Sequence, residues 1–135
     1  MRKETNFGPH LLLDLNKCNP DKLKDLDYIF NLLNDLPEKI NMTKITQPYV
    51  FKYSGLVPED KGITGFVVIA ESHISIHTFQ DKEYVFVDIF SCKDFDYNYA
   101  KDIMIEAFES KEPNWKVSMR GENFPRKHEK TKIAI

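Results

Sequence analysis

The sequence predicts an α+β domain, a two-layer αβ sandwich in which an antiparallel sheet carries two helices on one face. Three observations lead there. Short runs dense in Val, Ile, Phe, Tyr and Leu recur along the chain, two stretches repeat apolar residues at helical spacing, and the resulting order βαββββαβ suits helices packed against one sheet.

The run His10-Leu11-Leu12-Leu13-Asp14-Leu15 is short and apolar and stops at the turn-rich Asn16-Lys17-Cys18-Asn19-Pro20, so it predicts the first strand. Asn19 and Pro20 then suit an N-cap and first helical position. Leu23, Leu26, Ile29, Phe30, Leu33 and Leu36 follow at helical spacing, predicting one amphipathic helix that ends at Pro37. From 40 to 53, Ile, Thr, Val, Tyr and Phe predict an extended segment, which Pro48 confines to an edge or a bulge. The turn-forming 54–62 precedes two dense strands, 64–70 and 72–79. A charged turn at 80–83 joins the second of these to 84–90 as a hairpin. Asp94 or Asp96 can cap a helix whose Ala100, Ile103, Met104, Ala107 and Phe108 share a face, and 115–119 alternates as a last strand. The tail 126–132 is charged and expected to be loose.

At 135 residues, 41% apolar and 13% aromatic, the chain suits a single domain spanning 1–135 with one packed core. Its 19 basic and 21 acidic residues leave a net charge of -2, which argues against a nucleic-acid or membrane-surface partner. No apolar stretch approaches a membrane span, and the polar start MRKETNFG lacks the core of a secretory signal, so the expectation is a cytoplasmic protein. Cys18 and Cys92 are accordingly expected as free thiols. Strands this apolar call for a cover opposite the helices as well, which a second copy or a second sheet could supply, and a homodimer is expected.

The chemistry concentrates between 71 and 92, where Glu71-Ser72-His73-Ile74-Ser75-Ile76-His77-Thr78 is followed by Phe90-Ser91-Cys92. A serine or cysteine nucleophile needs a neighbouring base, and a hairpin places His77 and Cys92 either at the Ser72 end or across from it. On the residues alone the readings stay open. Alternating Ser and His describe a polar strand face. His73, His77 and Cys92 could ligate zinc, although their spacing matches no common zinc signature. A serine hydrolase would want Gly-x-Ser-x-Gly, which is absent.

The run Gly65-Phe66-Val67-Val68-Ile69-Ala70-Glu71-Ser72-His73-Ile74-Ser75-Ile76-His77-Thr78, with Val87-Asp88-Ile89-Phe90-Ser91-Cys92, resembles the prokaryotic S-adenosylmethionine decarboxylase proenzymes. Gly8-Pro9-His10-Leu11-Leu12-Leu13-Asp14-Leu15 resembles that family's first strand, and the likeness runs from about Gly8 to Phe108. The resemblance implies that Ser72 attacks the Glu71 carbonyl and that β-elimination cuts the chain into 1–71 and 72–135. The dehydroalanine left from Ser72 then loses ammonia to give a pyruvoyl cofactor. The substrate amine would form a Schiff base with it before carbon dioxide leaves. His77 matches the processing histidine and Thr64 a serine that assists it. Cys92 matches the proton donor, a task open to a thiol that is mostly protonated at neutral pH. Asp81 stands where relatives hold the substrate ribose, while Phe51 or Tyr53 could face the adenine. His73 and Ser75 are expected as structural polar residues, and no metal is implied.

The resemblance also implies a small-molecule substrate, S-adenosylmethionine, decarboxylated to supply the aminopropyl donor for polyamine synthesis. Ornithine or arginine decarboxylation is the alternative, and an unprocessed, non-catalytic binding homologue is the third reading. The chain departs from its relatives in four places. His77-Thr78-Phe79-Gln80 replaces His-Thr-Trp-Pro, Lys93 replaces a glycine, no His-x-Phe segment stands in 49–53, and the loop that follows is longer.

Overall fold

Six strands form one sheet in the order β2-β3-β4-β5-β1-β6, every neighbouring pair antiparallel. The computed structural model describes residues 6–125, so the expected loose tail at 126–132 lies outside the described residues. The strands are β1 (Gly8–Asn16), β2 (Tyr49–Tyr53), β3 (Gly62–Ile69), β4 (Ser72–Phe79), β5 (Tyr84–Phe90) and β6 (Glu112–Arg120). The helices are α1 (Pro20–Leu23), α2 (Leu26–Lys39) and α3 (Tyr97–Phe108). The α+β architecture is the one the sequence predicts.

Three helices stand where two are expected. Asn19 caps α1 and Pro20 opens it, but Lys24 leaves helical geometry and Asp25 turns extended to accept the Tyr28 N–H, starting a second helix. Asp25 thus acts as an N-cap inside a continuous apolar pattern, and capping overrides periodicity. Pro37 does not end α2, which runs to Lys39. The last turn gives up one N–H, while the Pro37 carbonyl accepts from Met42. Asp96, not Asp94, caps α3 by accepting the Tyr99 N–H at 2.9 Å.

The extended segment expected from 40 to 53 shrinks to β2 at the sheet edge. Residues 43–46 instead pin the end of β3. Ala70 donates to the Thr43 carbonyl at 3.0 Å, Ile45 donates to the Val68 carbonyl at 2.9 Å, and Lys44 bridges Ile69.

Alternation along the strands sorts the sheet into two faces. Leu11, Leu13, Leu15, Ile63, Val67, Ile69, Ile74, Ile76, Val85, Val87 and Ile89 are fully buried together with Leu23, Ile29, Leu33, Ala100, Met104 and Phe108 of the helices. Gly65 lets α2 come close, since a Cβ there would lie 2.9 Å from Leu33 Cδ1. Among the described residues no helix lies on the opposite face. There the register lines up Phe51, Thr64, His77 and Phe86 in one row and Tyr49, Phe66, Ser75 and Asp88 in the next. Its aromatic rings touch one another, Tyr49 against Phe51 and Phe66, and Phe86 against Phe79 and Tyr84. Phe66 and Phe86 remain 39% and 42% exposed, so this face is apolar and open.

Candidate active site

The Ala70-Glu71 turn joins β3 to β4, leaving Glu71 exposed and Ser72 buried as the first residue of β4. The chain then returns along β5 and brings Cys92 beside Ser72. The Cys92 backbone N–H donates to Ser72 Oγ at 2.7 Å, and Cys92 Sγ donates to the Ala70 carbonyl at 3.3 Å. One residue therefore grips both sides of the 70–72 turn, and it does so while 97% shielded from solvent. The neighbouring Ser91 hydroxyl serves its own loop, donating to the Lys93 carbonyl at 2.6 Å.

A glycine makes this approach possible. Gly8 lies across from the loop after β5, and a Cβ on it would fall 2.8 Å from the Ser91 carbonyl carbon and 3.1 Å from that of Cys92. Pro9 reinforces the contact by accepting the Ser91 N–H at 3.0 Å. A glycine near the start of a strand is the sequence signal of such close backbone approach.

His77 and Thr64 form a second centre. They are cross-strand partners on the open face, with Thr64 Oγ1 3.3 Å from His77 Nδ1. Five residues along β4 separate Ser72 from His77, about 16 Å at roughly 3.3 Å per residue, and an odd offset turns the two side chains to opposite faces. A single chain thus brings Cys92 to Ser72 but leaves His77 and Thr64 apart from them. Among the described residues no group of three His, Cys, Asp or Glu side chains is placed to hold a metal ion, and His73, His77 and Cys92 do not converge.

Beside the His77–Thr64 pair opens a cavity of about 410 Å³, a size suited to a small molecule. Phe51, Tyr53 and Phe79 give it aromatic walls, with Leu56 at its rim. Both expected aromatics therefore line one cavity with His77. Asp81 does not line it, and its Oδ2 lies 3.7 Å from Lys61 Nζ. The lining carboxylate is Asp60, which no sequence signal singles out; it pairs with Lys82 Nζ at 2.6 Å.

Between the two centres, on the open face, Phe90 gathers the rings of Phe7, His10 and His73, with the Arg120 guanidinium 4.2 Å above it. His10 Nε2 lies 3.4 Å from Asp88 Oδ1 without a well-formed hydrogen bond. Burial lowers the His10 pKa, and the Asp88 carboxylate offsets this only in part, against Arg120 and His73. Cys18 sits on the helix side, its Sγ donating to the Leu15 carbonyl at 3.4 Å, and burial pushes its pKa up to about 11. Both cysteines are free and buried.

The fold and this serine–cysteine turn define an α+β unit of a known kind. The family model described as S-adenosylmethionine decarboxylase matches residues 9–121. An S-adenosylmethionine decarboxylase proenzyme of Thermodesulfovibrio yellowstonii is 38% identical, covering 95% of this chain and 97% of that protein. One from Pyrococcus abyssi is 31% identical over 77% of this chain and 71% of its own. The crystal structure of the adenosylmethionine decarboxylase from Aquifex aeolicus superposes with a TM-score of 0.75 at 30% identity, covering 92% of this chain and 97% of that one. The chain belongs to the S-adenosylmethionine decarboxylase family. No helix of the described residues is long and apolar enough to cross a membrane.

Proposed function

We propose that this protein cuts itself between Glu71 and Ser72 and, with the pyruvoyl group so formed, decarboxylates S-adenosylmethionine. The observation that carries the reading is the grip of Cys92 on the turn, with its N–H on Ser72 Oγ and its thiol on the Ala70 carbonyl. The residues fit the group. Position 72 is buried, begins a strand and follows an exposed residue whose carbonyl a serine oxygen can attack.

Ser72 Oγ adds to the Glu71 carbonyl carbon and displaces the Ser72 nitrogen, converting the amide to an ester. A base then removes the Ser72 α-proton, the Cβ–O bond breaks, and 1–71 leaves with a new carboxylate. Tautomerisation and hydrolysis of the remaining enamine release ammonia. The resulting pyruvoyl carbonyl supplies an electrophile for the substrate amine and a sink for the electrons left by carbon dioxide. Cys92, already beside residue 72, returns a proton from its thiol to the substrate α-carbon.

His77 is the base for the elimination and Thr64 orients it through the contact at Nδ1. Since they lie about 16 Å from Ser72 of their own chain, the site is complete only when a second copy covers the open aromatic face. In that homodimer the Thr64–His77 end of one copy lies against the Ser72–Cys92 end of the other, and the aromatic cavity opens toward residue 72 of the partner. The substrate's adenosyl part then occupies the cavity between Phe51, Tyr53 and Phe79.

Intact-mass measurement on the purified protein tests the first step. Wild type should separate under denaturing conditions into 1–71 and a pyruvoyl-bearing 72–135, whereas Ser72→Ala should stay whole. The processed protein is then given S-adenosylmethionine, ornithine, arginine and lysine in parallel. Carbon dioxide released from a basic amino acid alone would overturn the substrate and leave self-processing standing. A wild-type chain that never cleaves would overturn both.

A further inference from the structure

Resting on that reading of the site, we propose that Thr78 is a positioning residue for self-cleavage. Its hydroxyl, on the helix-covered face of the sheet, fixes the rung on which His77 meets Thr64. The β3–β4 register runs from Ile69↔Ser72 to Thr64↔His77 and stops there, although both strands continue. The processing pair therefore stands on the last rung of its ladder, and a terminal rung opens more easily than an interior one. Holding it closed falls to the residue that follows.

Thr78 does this with one oxygen. Its Oγ1 accepts the Ile63 N–H at 2.9 Å, in place of a further rung, and donates to the Leu23 carbonyl at 2.7 Å. Ile63 precedes Thr64 and Thr78 follows His77, so the first bond spans the ladder one residue beyond the pair. Leu23 ends α1, and its carbonyl is one of the groups that a helix terminus leaves without an internal partner. The hydroxyl thus ties β4, β3 and α1 at one point, buried and shielded from competing water. Gly62 brings the start of β3 against the same residue, since a Cβ there would overlap the Thr78 carbonyl oxygen. On the opposite face Thr64 Oγ1 lies 3.3 Å from His77 Nδ1, already the long end of a hydrogen bond, so a small shift between the strands undoes it. Strand alternation turns Thr78 under the helices and His77 to the open side, which lets a buried hydroxyl govern a contact it does not touch.

The test follows cleavage of freshly made chains into 1–71 and 72–135 in Thr78→Val, Thr78→Ser and Thr64→Val. Thr78→Val keeps the shape and removes the hydroxyl. It should slow cleavage about 10-fold or more, part of the roughly hundredfold or more that a placed base supplies, and Thr78→Ser should restore the rate to within about threefold. Because Thr78 acts through the Thr64–His77 contact, the losses should not add, and Thr64→Val with Thr78→Val should cleave within about threefold of Thr64→Val alone. In the uncut Ser72→Ala chain, Thr78→Val should displace the His77 imidazole resonances and leave those of His10 in place. If Thr78→Val does not fold, Thr78→Ala, which opens space for water at the two backbone groups, carries the same expectations. A wild-type rate in Thr78→Val, losses that multiply in the double variant, a Thr78→Ser chain as slow as Thr78→Val, or unmoved His77 resonances would each overturn the proposal. Cleavage unaffected by His77→Ala, with the His77 resonances still displaced by Thr78→Val, would uphold the positioning and overturn His77 as the base.

Discussion

Gly8→Ala should slow self-cleavage without unfolding the protein. The added Cβ falls 2.8 Å from the Ser91 carbonyl carbon. It also overlaps the Ser91 carbonyl oxygen outright, so the Ser91–Cys92 peptide must retreat by more than the roughly 0.7 Å that an ordinary carbon contact of about 3.5 Å alone would require. The Cys92 N–H that reaches Ser72 Oγ at 2.7 Å moves with it. Stretched past about 3.4 Å that bond lies beyond the normal range, and losing a buried hydrogen bond costs about 1–3 kcal/mol. If the bond holds Oγ toward Glu71 during attack, cleavage slows roughly 5- to 150-fold. The assay is a time course of the 1–71 and 72–135 fragments on denaturing gels, with unfolding midpoints measured in parallel. Leu33→Ala is the control. It removes a fully buried side chain from the helix–sheet core and should cost about 2–5 kcal/mol, yet it leaves the Ser72 contact alone. A folded Gly8→Ala protein cleaving at the wild-type rate would refute the reasoning, as would equal slowing in Leu33→Ala.

Cys92→Ala keeps the backbone N–H on Ser72, so it should still cleave but lose turnover about a hundredfold or more, read as carbon dioxide release per cleaved chain. Ser72→Ala and His77→Ala should each cleave poorly alone. Co-expressed, they should yield cut His77→Ala chains, because the other copy lends its histidine; no cutting in the mixture would argue for a site within one chain. His10 has a folded pKa lowered below 6.5, chiefly by burial, so the unfolded chain binds a proton that the folded one refuses. Stability should therefore fall as pH drops below about 6.5 and level off under the folded pKa, and urea midpoints across that window should vary less in His10→Gln.

Most of the sheet was legible because strand-forming residues come in short runs separated by unmistakable turns, as at 80–83. The helix boundaries were less so. Leu23 and Leu26 continue one periodic pattern, and only the Asp25 side chain, choosing the Tyr28 N–H over solvent, divides it. Residues 43–46 look like a strand by composition but spend their hydrogen bonds on the end of β3. At the site, Ser72, Cys92, His77 and Thr64 were all found in the sequence, two of them through one continuous stretch. What the sequence could not supply was their grouping into two pairs, since that depends on which face each residue takes and on the strand order. Asp60 was missed as a lining residue because its place beside the cavity depends on the ion pairs between two turns far apart in the chain.

The strand order has a consequence for the cut protein. If the chain is cut after Glu71 as proposed, β1, β2 and β3 fall to one fragment and β4, β5 and β6 to the other, yet β1 sits between β5 and β6. The fragments are therefore interlaced rather than side by side, and neither can assemble a contiguous sheet from its own strands. Folding has to come before the cut, while the β3–β4 connection still makes pairing intramolecular. After it, reassembly from denatured chains becomes a bimolecular search that threads one strand between two others. A melt of the uncut Ser72→Ala chain should then reverse on cooling far more completely than a melt of the processed enzyme, with the processed recovery rising as protein concentration rises.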